Sequence, residues 1–326
     1  MSHPKVDLSH TNFDFAPAKV PTFYFVGMTT GKSSIMKVFP AWARHLKLGD
    51  VPIRGIDCRW HDDAAVYRAV VDYIKNDRLS RGGLVTTHKI DLLTAARDLF
   101  DGLDPAAELL GEVSCLSKRG SKLWGHAKDP VTSGLSLQAI VADDYWATSG
   151  AELFLIGAGG SSLALTMHLM ERPPSARPRR IVVSNRSQPR LDTMRTIHTR
   201  INPGIKVDYV LAPSPEGNDA VLPTLTPGSV VANATGLGKD APGSPLTDAA
   251  LFPRNGIAWD FNYRGDLVFL DQARRQQAGR NLRIEDGWVY FIHGWTRVIA
   301  EVFHIDIPTA GPEFDKLCEI AANVRK

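Results

Sequence analysis

Cysteine is scarce in this chain of 326 residues: only Cys58, Cys115 and Cys318 occur, an odd number set far apart. That excludes a disulfide framework and fits reduced thiols packed as small apolar side chains. Long apolar runs are missing too, and no stretch approaches the roughly 18 residues that a membrane-crossing helix needs. The opening Met1-Ser2-His3-Pro4-Lys5 lacks the apolar core of a signal peptide, so a cytoplasmic location is expected. Charge of one sign is nowhere concentrated. The 38 Lys and Arg are interspersed with 35 Asp and Glu, leaving +3, which points away from nucleic acid and toward a small anionic ligand. His61-Asp62-Asp63 and His304-Ile305-Asp306 lack the ligand spacing of zinc sites, and no metal is expected. Internal repeats and low-complexity tracts are absent as well.

With 44% apolar and 22% charged residues, what remains is an ordinary folded composition, and the length favours two domains over one core. Apolar runs alternate with amphipathic stretches. Thr22 to Val26, Val51 to Cys58 and Gly83 to Thr86 read as strands; Ile35 to Leu48, Ala64 to Asn76 and Leu92 to Phe100 read as helices. Val113 to Leu116 and Lys122 to Gly125 form a hairpin around Arg119-Gly120, and Thr132 to Ala142 is helical. A second register begins at Leu153 to Ile156 and runs through Ile181 to Ser184, Val207 to Leu211, Val230 to Asn233 and Ile257 to Asp260. The Pro-rich stretch from Glu171 to Pro178 is a surface loop. The fold class is therefore α/β in two domains, each with a mainly parallel sheet. The expected boundaries are a leader over 1–20, a first domain over 21–149, a second over 150–289, and helices over 290–326 that return to the first.

Gly157-Ala158-Gly159-Gly160-Ser161-Ser162 follows the apolar run Leu153 to Ile156 and precedes the helical Leu163 to Met170. Gly157 permits a tight turn, Gly159 lets the backbone approach a pyrophosphate, and the helix N-terminus of Gly160 and Ser161 offers free N–H groups. This is the strand, glycine turn and helix of a Rossmann dinucleotide site. NAD-binding proteins place a carboxylate at the end of the next strand for the ribose 2′-hydroxyl. Here Asn185-Arg186-Ser187-Gln188-Pro189-Arg190 contains none, and its two guanidinium groups suit a 2′-phosphate, favouring NADP over NAD. The alternative is that Arg186 and Arg190 are solvated surface residues.

Two further segments, Gly83-Leu84-Val85-Thr86-Thr87-His88-Lys89 and Gly125-His126-Ala127-Lys128-Asp129, each close an apolar strand with an ionisable residue. A lysine held by a carboxylate can remove a hydroxyl proton, so Lys89 and Asp129 are candidate acid/base groups. By spacing alone each reads first as a surface charge.

The order of these features resembles the shikimate/quinate dehydrogenase family from about Thr22 to Ile305. The resemblance implies that Lys89 and Asp129 are catalytic and that the first domain binds substrate. It implies cofactor contacts at Gly157, Gly159, Gly160, Ser161, Asn185, Arg186, Ser187, Arg190, Gly287 and the Asn233-Ala234-Thr235-Gly236 segment, with NADP as cofactor. Substrate contacts are implied at Ser33, Thr86, Tyr263 of Asp260-Phe261-Asn262-Tyr263, and His293. Departures fall where the family reads shikimate: Gly83 and Ala127 replace asparagines, Thr87 a proline, Ile35 a serine and Gly294 a glutamine. Lys32, Ser34, His88 and His293 are candidates to bind a different ligand. The expected activity is NADP-dependent hydride transfer on a secondary alcohol or ketone of a polyhydroxylated cyclic or sugar-like substrate, a polyol or hydroxy acid. Alternatives are a true shikimate or quinate dehydrogenase, and a non-catalytic nucleotide-dependent sensor. A homodimer is left open. Gly27-Met28-Thr29-Thr30-Gly31-Lys32-Ser33 imitates a phosphate-binding P-loop but is one residue short between its glycines.

Overall fold

The computed structural model describes residues 7–201, 204–239 and 241–325; the opening read for a signal peptide lies outside them. The chain forms two compact units, Met1–Lys128 with Gly294–Lys326, and Asp129–His293.

Among the described residues, the first unit holds a six-stranded sheet of β1 Thr22–Gly27, β2 Ile53–Asp57, β3 Ser80–Val85, β4 Gly102–Leu103, β5 Cys115–Arg119 and β6 Lys122–His126, in the order β2-β1-β3-β5-β6-β4. β1 runs parallel to both β2 and β3, whereas β5 is antiparallel to β3 and β6. Every residue of β1 is buried, which is why it reads as a continuous apolar run rather than an alternating one. The helix Ala64–Asn76 buries Val66, Tyr67, Val70, Val71 and Ile74, one stripe at helical spacing. As expected, the C-terminal segment returns to this unit: Trp42 Nε1 donates to Leu317 O at 2.9 Å, and Trp295 sets its ring edge-on to Phe25 at 4.9 Å between centroids.

Two elements here escaped the periodicity, β4 and the helix Pro105–Leu110, because neither is long enough to show one. End signals make that helix instead. Asp104 Oδ1 accepts the Ala107 N–H at 2.7 Å, Pro105 fills the first turn, and Gly111 closes the helix at φ +64°. The segment expected as a helix from Leu92 begins earlier, at Lys89, and becomes a 3-10 turn after Ala96. Likewise the helix expected from Thr132 starts at Asp129. Both ionisable candidates therefore open helices rather than close strands.

The second unit holds β7 Leu153–Ile156, β8 Arg180–Asn185, β9 Lys206–Leu211, β10 Val230–Asn233, β11 Ile257–Asp260 and β12 Arg283–Glu285, all parallel, in the order β12-β11-β10-β7-β8-β9. Leu153 and Leu155 point into one apolar layer with Leu165, Leu169 and Met194; Phe154 and Ile156 point into another with Phe252, Phe269 and Leu270. The sheet is thus covered on both faces, the doubly wound arrangement. The strand order reverses between β7 and β10, and ligands of such sheets bind at the carboxyl ends beside this switch point. Among the described residues no helix is long and apolar enough to cross a membrane.

Candidate functional site

In the second unit, the glycine turn stands at that switch point. Gly157 has φ +107°, a conformation L side chains rarely adopt, and a Cβ there would lie 3.1 Å from the Ala234 carbonyl oxygen. Its N–H donates to Ser184 O at 2.8 Å, and the Ala158 N–H donates to Asn185 Oδ1 at 3.3 Å, so the end of β8 braces the turn. Gly159 caps the helix Gly160–Glu171, and a Cβ there would meet nothing within 4 Å. Open space at Gly159 and first-turn N–H groups without intrahelical acceptors are what an approaching phosphate requires. Ser162, where the motif often carries Gly or Ala, is fully buried and donates its hydroxyl to Gly157 O at 2.5 Å, tying the helix back to the turn. Asn185 is half-buried, and its Nδ2 donates to Ser187 O at 3.2 Å. Arg186 and Arg190 are exposed.

The Asn233-Ala234-Thr235-Gly236 segment follows β10 into the same place. Asn233 is completely buried; its Oδ1 accepts the Thr235 N–H at 3.0 Å and the Thr235 hydroxyl at 2.6 Å, while its Nδ2 donates to Asp260 Oδ2 at 3.1 Å. Asp260 also accepts the Asn262 N–H at 2.8 Å, and Asn262 Nδ2 donates to Thr235 O at 3.0 Å. Gly287 fits against this network by lacking a side chain, since a Cβ would fall 2.0 Å from Phe261 O. The turn, the Asn185 loop, the Asn233 segment and Gly287 are thereby brought together at neighbouring strand ends. Tyr263 is half-buried and packs on Phe291 and Trp288 at 4.7 and 5.4 Å between centroids; His293 is buried. The spacing of Trp288 and Phe291, one helical turn apart, was the signal available for these two partners of Tyr263.

Burial pushes the Asp260 carboxyl up to about 6, against the lowering effect of its hydrogen bonds. A carboxyl with a raised folded value stabilises the fold fully below its unfolded value near 3.8, and that contribution is lost as pH rises through about 6. Two pH units correspond to about 3 kcal/mol. Asp260→Asn should therefore gain stability relative to the unaltered chain by up to that amount between pH 4 and 7, read as the difference between two urea unfolding series. A difference independent of pH would mean that Asp260 titrates normally.

In the first unit, Lys89 is half-buried, opens its helix, and accepts the Val113 N–H on its carbonyl at 3.2 Å. The preceding Thr87 is held at φ +63°, a real outlier for a β-branched residue. Its strain is fixed on both sides: the His88 N–H donates to Thr86 O at 2.6 Å, and the Thr86 N–H to Val26 O at 3.0 Å. Such outliers persist where the surroundings over-determine them, and they gather at functional sites. Thr86 is half-buried beside Gly27. His88 is buried, with Nδ1 3.0 Å from the Tyr67 hydroxyl, and burial lowers its pKa, so it anchors the loop. Ser33 is half-buried and Lys32 exposed. Their N–H groups donate to Thr30 O and Thr29 O, and Asp57 accepts both the N–H and the hydroxyl of Thr30, so three N–H groups of the P-loop look-alike are already engaged within the protein. Lys128, unmarked in the sequence, bonds Glu301 at 2.8 Å; burial opposes ionisation there, yet Lys128 and His126 hold the Glu301 carboxyl below its usual value. In the second unit Asp129 is buried, and its carbonyl accepts the Ser133 hydroxyl at 2.7 Å.

No protein-family model matches the chain. By sequence it is 24% identical over 225 residues to the shikimate dehydrogenase (NADP(+)) of Lactococcus lactis subsp. cremoris (strain MG1363), covering 69% of this chain and 74% of the relative. In fold it is similar to the crystal structure of shikimate dehydrogenase from Aquifex aeolicus, with a TM-score of 0.71 at 16% identity over 94% of this chain and 99% of that one. It is also similar to 5-ketofructose reductase of Gluconobacter sp. strain CHM43, with a TM-score of 0.65 at 17% identity over 94% and 99%. The sequence likeness to shikimate dehydrogenase thus spans two thirds of the chain, and the fold it shares with that enzyme spans nearly all of it.

Proposed function

We propose that the chain catalyses reversible hydride transfer between NADP(H) and a secondary alcohol or ketone of a polyhydroxylated cyclic or sugar-like substrate. The observation that carries this reading is the Gly157 turn at the switch point of a parallel sheet, beside a β8 end that presents Arg186 and Arg190 and no carboxylate. The N–H groups at Gly159, Gly160 and Ser161 would hold the pyrophosphate, and Asn185, Arg186, Ser187 and Arg190 the adenosine end with its 2′-phosphate. Asn233 to Gly236 and Gly287 would line the nicotinamide end. The NADP(+) in the name of the Lactococcus lactis relative supports the choice of cofactor.

Lys89 and Asp129 take the acid/base roles: Lys89 accepts the substrate hydroxyl proton in oxidation and returns it in reduction, with Asp129 as the carboxylate member of the pair. Ser33, Thr86, Tyr263 and His293 take the substrate-binding roles. Because Gly83 and Ala127 carry no amide to read ring hydroxyls, a redirected substrate is preferred over shikimate. A pocket lacking such partners loses discrimination of ~10⁴–10⁵. The fold shared with a protein named for a keto sugar supports the same direction.

The test follows nicotinamide absorbance with NADP and, separately, NAD, against shikimate, quinate and a panel of cyclic and acyclic polyols. Turnover on a polyol other than shikimate is the expected result. Strong shikimate or quinate turnover would make the chain a true member of that activity, the reading favoured by the name of its relative. Tight cofactor binding without turnover on any compound would favour a sensor.

A further inference from the structure

The first unit carries a concavity of about 500 Å³ that the site above does not use. It lies where the chain enters the sheet. Val51 precedes β2, and Ser80 begins β3, at the end opposite the loop that leads to Lys89; a six-residue strand puts roughly 20 Å between those ends. The β5–β6 turn and Val302 to Ile305 complete the wall.

Its lining is one-sided in charge. Lys47, Arg78, Arg81 and Lys118 are joined by His304, and none of the twelve lining residues is acidic. The nearby carboxylate of Asp77 is already spent on three backbone N–H groups, those of Ala18, Leu79 and Ser80. Lys118 Nζ donates to the Asp77 carbonyl at 2.6 Å, and burial lowers its pKa, with Arg81 acting in the same direction against Asp77. Independently of the charges, Ser80 is only 4% exposed, and its hydroxyl has no hydrogen-bond partner. Ser80 is one of the residues lining this cationic pocket, and a buried hydroxyl left without a partner is the exception in a folded protein. Val51, Phe303 and Ile305 give the pocket an apolar side, and the volume is that of a small-molecule site.

We propose that this pocket binds a small, multiply charged oxyanion, a phosphorylated or polycarboxylic metabolite, at a site distinct from the dinucleotide and acid/base residues. The proposal does not rest on the hydride-transfer reading. Its test is calorimetric titration of the full chain with inorganic pyrophosphate and, separately, with citrate. At least one should bind at one site per chain, and binding should persist in saturating NADP. Affinity should fall at least tenfold in Arg81→Ala/Lys118→Met and severalfold in Ser80→Ala. Preference for pyrophosphate identifies a phosphoryl ligand, and preference for citrate a polycarboxylate. Should the double variant fail to fold, Lys47→Ala/Arg78→Ala, which removes two exposed side chains, carries the same tenfold expectation. Absence of heat with both anions, affinity unchanged in the folded double variant, or displacement by NADP would each overturn the proposal.

Discussion

Lys89→Ala is expected to lower turnover by ~10²–10⁴-fold, the usual worth of a positioned acid/base group, on whichever substrate the unaltered chain oxidises best. NADP affinity should stay within about twofold, because the loss belongs to proton transfer rather than to binding, and such a loss lowers kcat and kcat/KM together. The backbone of residue 89 accepts the Val113 N–H and opens a helix, neither of which needs the side chain, so the fold should survive. Steady-state kinetics across pH adds a second readout. Removal of the base should abolish the rise of kcat with pH on the acidic side, which loss of a merely structural lysine would leave in place. Turnover unchanged by the substitution would remove Lys89 from the mechanism.

Arg186→Ala, alone and with Arg190→Ala, should weaken NADP while sparing NAD. A charge-assisted hydrogen bond is worth about 1.5–3 kcal/mol, or roughly tenfold to a hundredfold for each guanidinium. Both side chains are exposed, which places the expectation toward the lower figure. NAD has no 2′-phosphate, and its affinity should change by less than about threefold. Nicotinamide fluorescence titrations of both cofactors measure the ratio. Equal loss for both would mean that the arginines act on the pyrophosphate or the turn, and no loss would return them to solvent. The contrast should shrink as salt is added, because surface charges are screened over about 10 Å at 0.1 M.

The sequence by itself determined the α/β alternation, the glycine turn after Ile156, and the missing carboxylate after Ser184, because each is a local pattern within a few residues. It also marked the returning C-terminal segment and showed the P-loop look-alike to be one residue short. It could not register β4, β12 or the helix Pro105–Leu110, which are too short for a period to emerge and exist by pairing or by end caps. The start of the Lys89 helix was invisible for a related reason, since the backbone on either side of the left-handed Thr87 is held by bonds from Thr86 to Val26 and from Val113 to Lys89, far away in the chain. Only the tertiary structure joined Asn233, Asp260 and Asn262 into one buried network, and only burial raised the Asp260 carboxyl. The basic pocket is the extreme case: Lys47, Arg78, Lys118 and His304 span more than 250 residues, look like solvated charges one at a time, and acquire a meaning only when the sheet gathers strand starts, a hairpin turn and a helix end. Local chemistry is written in short spacings, whereas burial and charge convergence are properties of the packed chain.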